Sequence, residues 1–373
     1  MSNVERTTDD TWSRIATTIE FFGPQWFGST MGTGVLGIAL ALVAARADLA
    51  PVATLAMAFV GLTAVATVTY LIPWCLRLVL YPNRVWADLT HPIRSQFFPT
   101  MPITLIVLGV GIAQTMGGFL SAATLRPLLT GLFAAGSVGI FGFGFLLVTL
   151  MFTNDRIGPD DGVFAWYIPP VSHLVIPLLG FLLASEYYAG TLVGQTIFTV
   201  SVIALGVGTF LFLFFGSIVL YRYAYETLPH EKLAPTFAIG LAPTSVLVID
   251  LARLTHALQA GVGFDIAVAP LVPLLKLLAL LLWGFSAWWF VLTGALVAYY
   301  VTRRTHPFFF TWWAYTFPIG AFAVSADVLA HFLGVAVFGH VLLGVTALLL
   351  VIWTITAGQT FRLVARGRAF TGE

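Results

Sequence analysis

Ten long apolar stretches, separated by short polar breaks, leave this chain almost no choice of fold. They cover residues 21–45, 53–81, 97–119, 126–152, 165–185, 192–222, 235–260, 270–301, 307–331 and 335–362. Each is long enough to cross a bilayer as a helix, which takes about 20 residues. The alternating ten-residue pattern of a membrane barrel is absent. Only 9% of the 373 residues are charged, against about 25% in a soluble domain. The expected fold is therefore an all-α polytopic membrane protein with ten transmembrane helices. Residues 1–20 form an N-terminal segment, 21–362 the helical domain and 363–373 a C-terminal tail.

Orientation follows from the basic residues. With both termini in the cytoplasm, thirteen arginines and lysines, Arg6 and Arg156 among them, fall on the inside and four on the outside. The positive-inside rule selects that topology, in the plasma (inner) membrane of the cell. The net charge of +1 gives no reason to expect a nucleic-acid partner. A single cysteine, Cys75, excludes an intramolecular disulfide and a thiolate metal cluster.

The odd-numbered stretches share an element: MGTG at 31–34, MPIT at 101–104, PPVS at 169–172, APTS at 242–245 and FPIG at 317–320. Anchored on Gly32, Pro102, Pro170, Pro243 and Pro318, the spacings are 70, 68, 73 and 75 residues. Proline and glycine are common in membrane helices, but five occurrences at nearly constant spacing point to a repeat of one helical hairpin. Irregular backbone at membrane depth is tolerated where it is buried in protein or lines a watery cavity. The expectation is five hairpins in a pseudo-fivefold arrangement around a central pore, odd helices inside and even helices facing lipid. Met31, Gly32, Gly34, Met101, Pro102, Thr104, Pro170, Ser172, Pro243, Ser245, Pro318 and Gly320 are the expected pore-lining or kink residues. At the variable first position, Phe317 alone carries an aromatic ring, and it reads as a plug across the pore.

Three segments, PQWFGSTMGTGVL at 24–36, HPIRSQFFPTMP at 91–102 and WWAYTFP at 312–318, resemble the tellurite-resistance/dicarboxylate transporter family. That family includes plant slow anion channels and yeast malate and sulfite transporters. The resemblance implies five helical hairpins around a pore, a homotrimer, passive or proton-linked movement of small anions, and a closing phenylalanine that falls on Phe317. No catalytic motif appears and the histidines sit at scattered positions, so neither enzymatic activity nor a cofactor is expected.

Ionisable residues inside a membrane invite functional readings. His173 follows the third repeat element and reads either as a proton or anion site near the axis or as a neutral histidine bonded to a freed carbonyl. Asp250 and Arg253 are one turn apart and can pair on one face. His256 and His331 lie thirteen residues beyond their anchors and, with Asp327, complete an expected outer network. No pair has metal-ligand spacing, so no metal is expected. Arg84, Arg94, Arg303 and Arg304 gather at the inner mouth, where they would concentrate anions. The leading expectation is an anion channel or uniporter gated by Phe317. The alternative is a proton-linked carrier or exporter for C4-dicarboxylates or sulfite.

Overall fold

The computed structural model describes Trp12 and residues 14–155, 157–264 and 266–370. Arg6 and Arg156, most of the N-terminal segment and residues 371–373 lie outside the described residues. Ten helices are long and apolar enough to span a membrane, and no strand occurs among the described residues. In chain order they are α1 (Phe27–Ala47), α2 (Ala50–Leu80), α3 (Thr100–Thr115), α4 (Ala122–Thr153), α5 (Ile168–Leu182), α6 (Leu192–Tyr225), α7 (Ala242–Gln259), α8 (Val272–Arg303), α9 (Thr316–Leu333) and α10 (Val337–Ala365). A short helix, Pro82–Leu89, lies between α2 and α3.

Burial divides the spans into two sets. The five odd spans are 78–83% buried within the protein and the five even spans 17–33%. Consecutive odd helices touch, and α9 returns to touch α1, so the odd helices close a ring. Each even helix packs behind its odd partner, with side chains such as Val65, Phe145, Phe214, Leu281 and Val351 left exposed. Exposed aliphatic and aromatic side chains of this kind suit contact with lipid chains, which are as apolar as leucine.

Ring closure depends on small residues. Gly32 of α1 lies so close to α9 that a Cβ there would overlap Thr316 Oγ1, and a Cβ on Gly320 of α9 would overlap Val35 of α1. Close backbone approach lets dispersion and hydroxyl bonds supply the contact that water would otherwise drive. Thr30 and Thr104 share a hydrogen bond of 2.7 Å between α1 and α3, and Trp353 of α10 donates to Thr33 at 3.0 Å.

The expected mid-helix kinks take a different form. Each odd span enters through a short 3-10 segment: Pro24–Trp26, Arg94–Phe97, Phe164–Tyr167, Glu231–Leu241 and Phe310–Tyr315. The α-helix begins after it. Pro102, Pro170, Pro243 and Pro318 all fall within the first turn of their α-helices. At that position a missing N–H breaks no intrahelical bond, and the fixed φ suits helix entry. Gly32, by contrast, lies inside an uninterrupted α1; in the first repeat the irregular segment is Pro24–Trp26, not the glycine element.

Candidate functional site

A cavity of about 1290 Å³ opens at the end of the ring where the odd helices begin. Its wall takes residues from the first turn of every ring helix: Gly28 and Met31, Thr100 and Ile103, Ile168 and Val171, Ala242, and Phe317 with Pro318. Five helices thus point their N-terminal, positive dipole ends at one space. Arg77, Arg84, Arg94, Lys232 and Arg368 also line it, and Asp88 is the only acid on the wall among the described residues. Arg77 and Arg94 both pair with Asp88, at 2.7 and 3.1 Å, and Arg84 pairs with Glu20 at 2.9 Å. Beside these pairs Lys232 adds a further cation to the wall, and cations together with helix N-termini favour the local accumulation of anions. His91, also on the wall, is held below the ordinary histidine range by burial and by the neighbouring Arg94.

Phe317 sits where the lead-in becomes helix. It is 6% exposed and belongs to the main apolar core while bordering the cavity. The preceding motif fixes it in place. Trp313 donates to Thr360 of α10 at 3.0 Å, Trp312 donates to the Pro307 carbonyl at 3.1 Å, and Thr311 donates to the Lys232 carbonyl at 2.5 Å. Tyr315 shares a 3.1 Å hydrogen bond with His306, which also stacks on Trp312. Burial holds His306 below the ordinary histidine range. Thr311 and Trp313 thus tie the segment to other elements, while Trp312 and Tyr315 reach back to the preceding loop.

Of the residues singled out from sequence, Met31, Phe317, Pro318, Arg84 and Arg94 border this cavity. Others point elsewhere. Met101 packs with Trp74 and Phe98, Pro102 backs onto Gly139 of α4, and Gly34 meets Val107 of α3. Thr104 accepts or donates within the α1–α3 contact, and Ser245 donates to Ser286 of α8 at 3.2 Å. Ser172 and His173 both turn back to the Pro169 carbonyl, at 2.6 and 2.9 Å. The His173 ring lies against Gly144 and edge-on to Phe141, both of α4, so it faces an outer helix rather than the axis. Pro170 and Pro243 are buried in their first turns.

Arg303 and Arg304 are not on the cavity wall; Arg304 lies over the Tyr300 ring and donates to the Pro229 carbonyl. Arg77, Lys232 and Arg368 take that place. The first two had a signal, a basic residue at a helix end and one in a lead-in; Arg368 reaches the mouth only because the chain after α10 folds back, with Phe370 stacked on Trp26 at 5.0 Å. At the far end the residues form separate pairs. His256 meets Glu186 at 2.9 Å. Asp327 holds Arg46 at 2.8 Å and has His331 beside it at 3.5 Å. Asp250 and Arg253 do not close to ion-pair distance; Arg253 donates to the Leu178 carbonyl at 2.5 Å.

A closed ring of buried helices, jacketed by lipid-facing ones and opening through a cation-rimmed mouth, defines a polytopic membrane transport protein. The family model described as Voltage-dependent anion channel (SLAC1) matches residues 21–361, and the chain belongs to that family. It is 27% identical over 358 residues to an uncharacterized transporter of Methanocaldococcus jannaschii, covering 95% of this chain and 97% of that one. It is also 26% identical over 339 residues to the sulfite efflux pump SSU1 of Trichophyton rubrum, covering 85% of this chain and 82% of the pump.

Proposed function

We propose that the chain is an anion channel or uniporter that passes small inorganic or organic anions along the axis of its helix ring, with Phe317 as the gate. One observation carries the reading: among the described residues, five helix N-termini and five basic side chains share one cavity wall with Asp88. Dipole ends and paired arginines attract a negative charge without holding it in a deep well. Weak, multiple attraction lets an ion enter and also leave. The five-hairpin plan, arranged with pseudo-fivefold symmetry about a pore, fits the closed contact order of the odd helices.

The cation-rich mouth is assigned to the cytoplasm of the inner membrane, with both termini on that side, because basic residues mark inside loops. The homotrimer follows from the family resemblance. A proton-linked carrier for C4-dicarboxylates or sulfite is the second reading, favoured by the resemblance to a sulfite efflux pump. Purified protein in proteoliposomes distinguishes them. Chloride, nitrate, sulfite and malate fluxes are compared under an imposed voltage, with and without a pH gradient. Flux of at least one anion that follows voltage alone supports the channel reading; no flux of any of the four overturns both.

A further inference from the structure

α7 starts on the cavity wall at Ala242 and carries Asp250 and Arg253 further along the same helix. Asp250 lies eight residues on, roughly 12 Å along the axis at 1.5 Å per residue. It is 0% exposed, and neither carboxylate oxygen receives a hydrogen bond. Burial of an unpaired charge is strongly unfavourable, and ionisable groups within a membrane mark functional sites by default.

The other titratable groups at this depth are occupied. On α5, His173 bonds the Pro169 carbonyl. Beyond α5, Glu186 holds His256 of α7. On α8, Lys276 lies over the Phe332 ring. On α9, Asp327 holds Arg46 and sits beside His331. Glu231 and Lys232 of the lead-in, Arg222 of α6 and Arg303 of α8 lie at the opposite, cation-rich end of these elements. Arg253, one turn away and partly exposed, is the charge that acts on Asp250.

We propose that Asp250 is a proton-binding site whose occupancy sets the charge of an Asp250–Arg253 couple, and that the protonated couple binds a small anion in the far half of the ring. With Asp250 ionised the two charges cancel. With Asp250 protonated the couple carries one net positive charge, on a guanidinium suited to oxyanions and halides. Proton and anion then raise one another's affinity by the same factor, as linkage requires. This rests on the anion-transport reading above and adds the group that ties transport to pH.

The test uses full-length protein in proteoliposomes, with chloride and nitrate as probes and internal pH followed alongside anion flux. Wild-type flux should rise as both sides are acidified, by at most about tenfold per pH unit for one titrating group. Asp250→Asn, fixed in the neutral form, should hold flux at the acid-side level at every pH, Asp250→Glu should restore the pH dependence, and Arg253→Gln should remove the acid-side rise. Infrared difference spectra of the wild-type protein give a readout independent of flux. A protonated-carboxyl band from a carboxyl without hydrogen bonds should appear on acidification and be absent in Asp250→Asn. A flat wild-type flux profile, an unchanged profile in Asp250→Asn, or the absence of that band overturns the proposal. If no anion moves but the band titrates, the proton site stands while the transport reading and the anion half of the couple fall. Should Asp250→Asn not fold, the wild-type band and its retention in Asp250→Glu decide.

Discussion

Truncating Phe317 separates a gate from a packing residue, because the two roles predict opposite changes. The ring is 6% exposed and borders open space of about 1290 Å³. Fully burying a phenylalanine side chain is worth about 1.5–3 kcal/mol. If conduction requires the ring to leave its seat, that contact energy is part of the barrier, and its removal raises flux roughly ten- to a hundredfold at about 1.4 kcal/mol per decade. Stability should fall by about the same transfer energy. The larger cost of about 3–5 kcal/mol for phenylalanine truncation in a closed core should not apply, since the space left joins an existing cavity. The assay is anion flux per folded protein in proteoliposomes, with potassium flux measured in parallel and thermal unfolding in detergent. Anion flux should rise while potassium flux stays at background. Wild-type anion flux in a folded Phe317→Ala protein would refute the gate.

Three further outcomes follow from the geometry. Replacing Lys232 and Arg94 together by glutamate should lower anion flux, most at low ionic strength, because fields between exposed charges are screened within about 10 Å at 0.1 M salt; a loss independent of salt would show that the rim does not act through its field. His306 and His91 are both held below the ordinary histidine range, so the unfolded chain takes up protons first as pH falls below about 6.5. Thermal stability should therefore be constant above that pH and decline below it, and His306→Phe, which keeps the stack on Trp312, should reduce the decline. Gly32→Ala should cost about 1–3 kcal/mol through overpacking, read as a lower melting temperature, since the new Cβ would overlap Thr316.

The ten spans were legible because hydropathy and length alone decide them, and the repeat was legible because four of its anchors are prolines with one common place in a helix. Direction was not. A first-turn proline fixes where a helix starts, but each residue turns the side chain by 100°, so small differences in rotation decide which residue of the four meets the cavity. Met31 and Phe317 do so from the first position, whereas the second and third repeats present Ile103 and Val171 from the third. His173 could face the axis or an outer helix on sequence grounds; Gly144, which leaves room for its ring, is 29 residues away and carries no mark of that partnership. Arg46 and Asp327 are 281 residues apart, and nothing local joins them.

The contact between the first and last ring helices has a consequence for biogenesis. α1 carries Gly32, Thr33, Val35 and Arg46, whose partners Thr316, Trp353, Gly320 and Asp327 are synthesised long after it. Until then α1 must wait in the bilayer with an open flank and a basic side chain lacking its acid. Contacts of such long sequence separation form late and leave intermediates exposed to misassembly. Insertion factors that shelter polar flanks should therefore cross-link to α1 until the fifth hairpin emerges, and nonsense truncations before α9 should yield chains that are degraded rather than smaller pores.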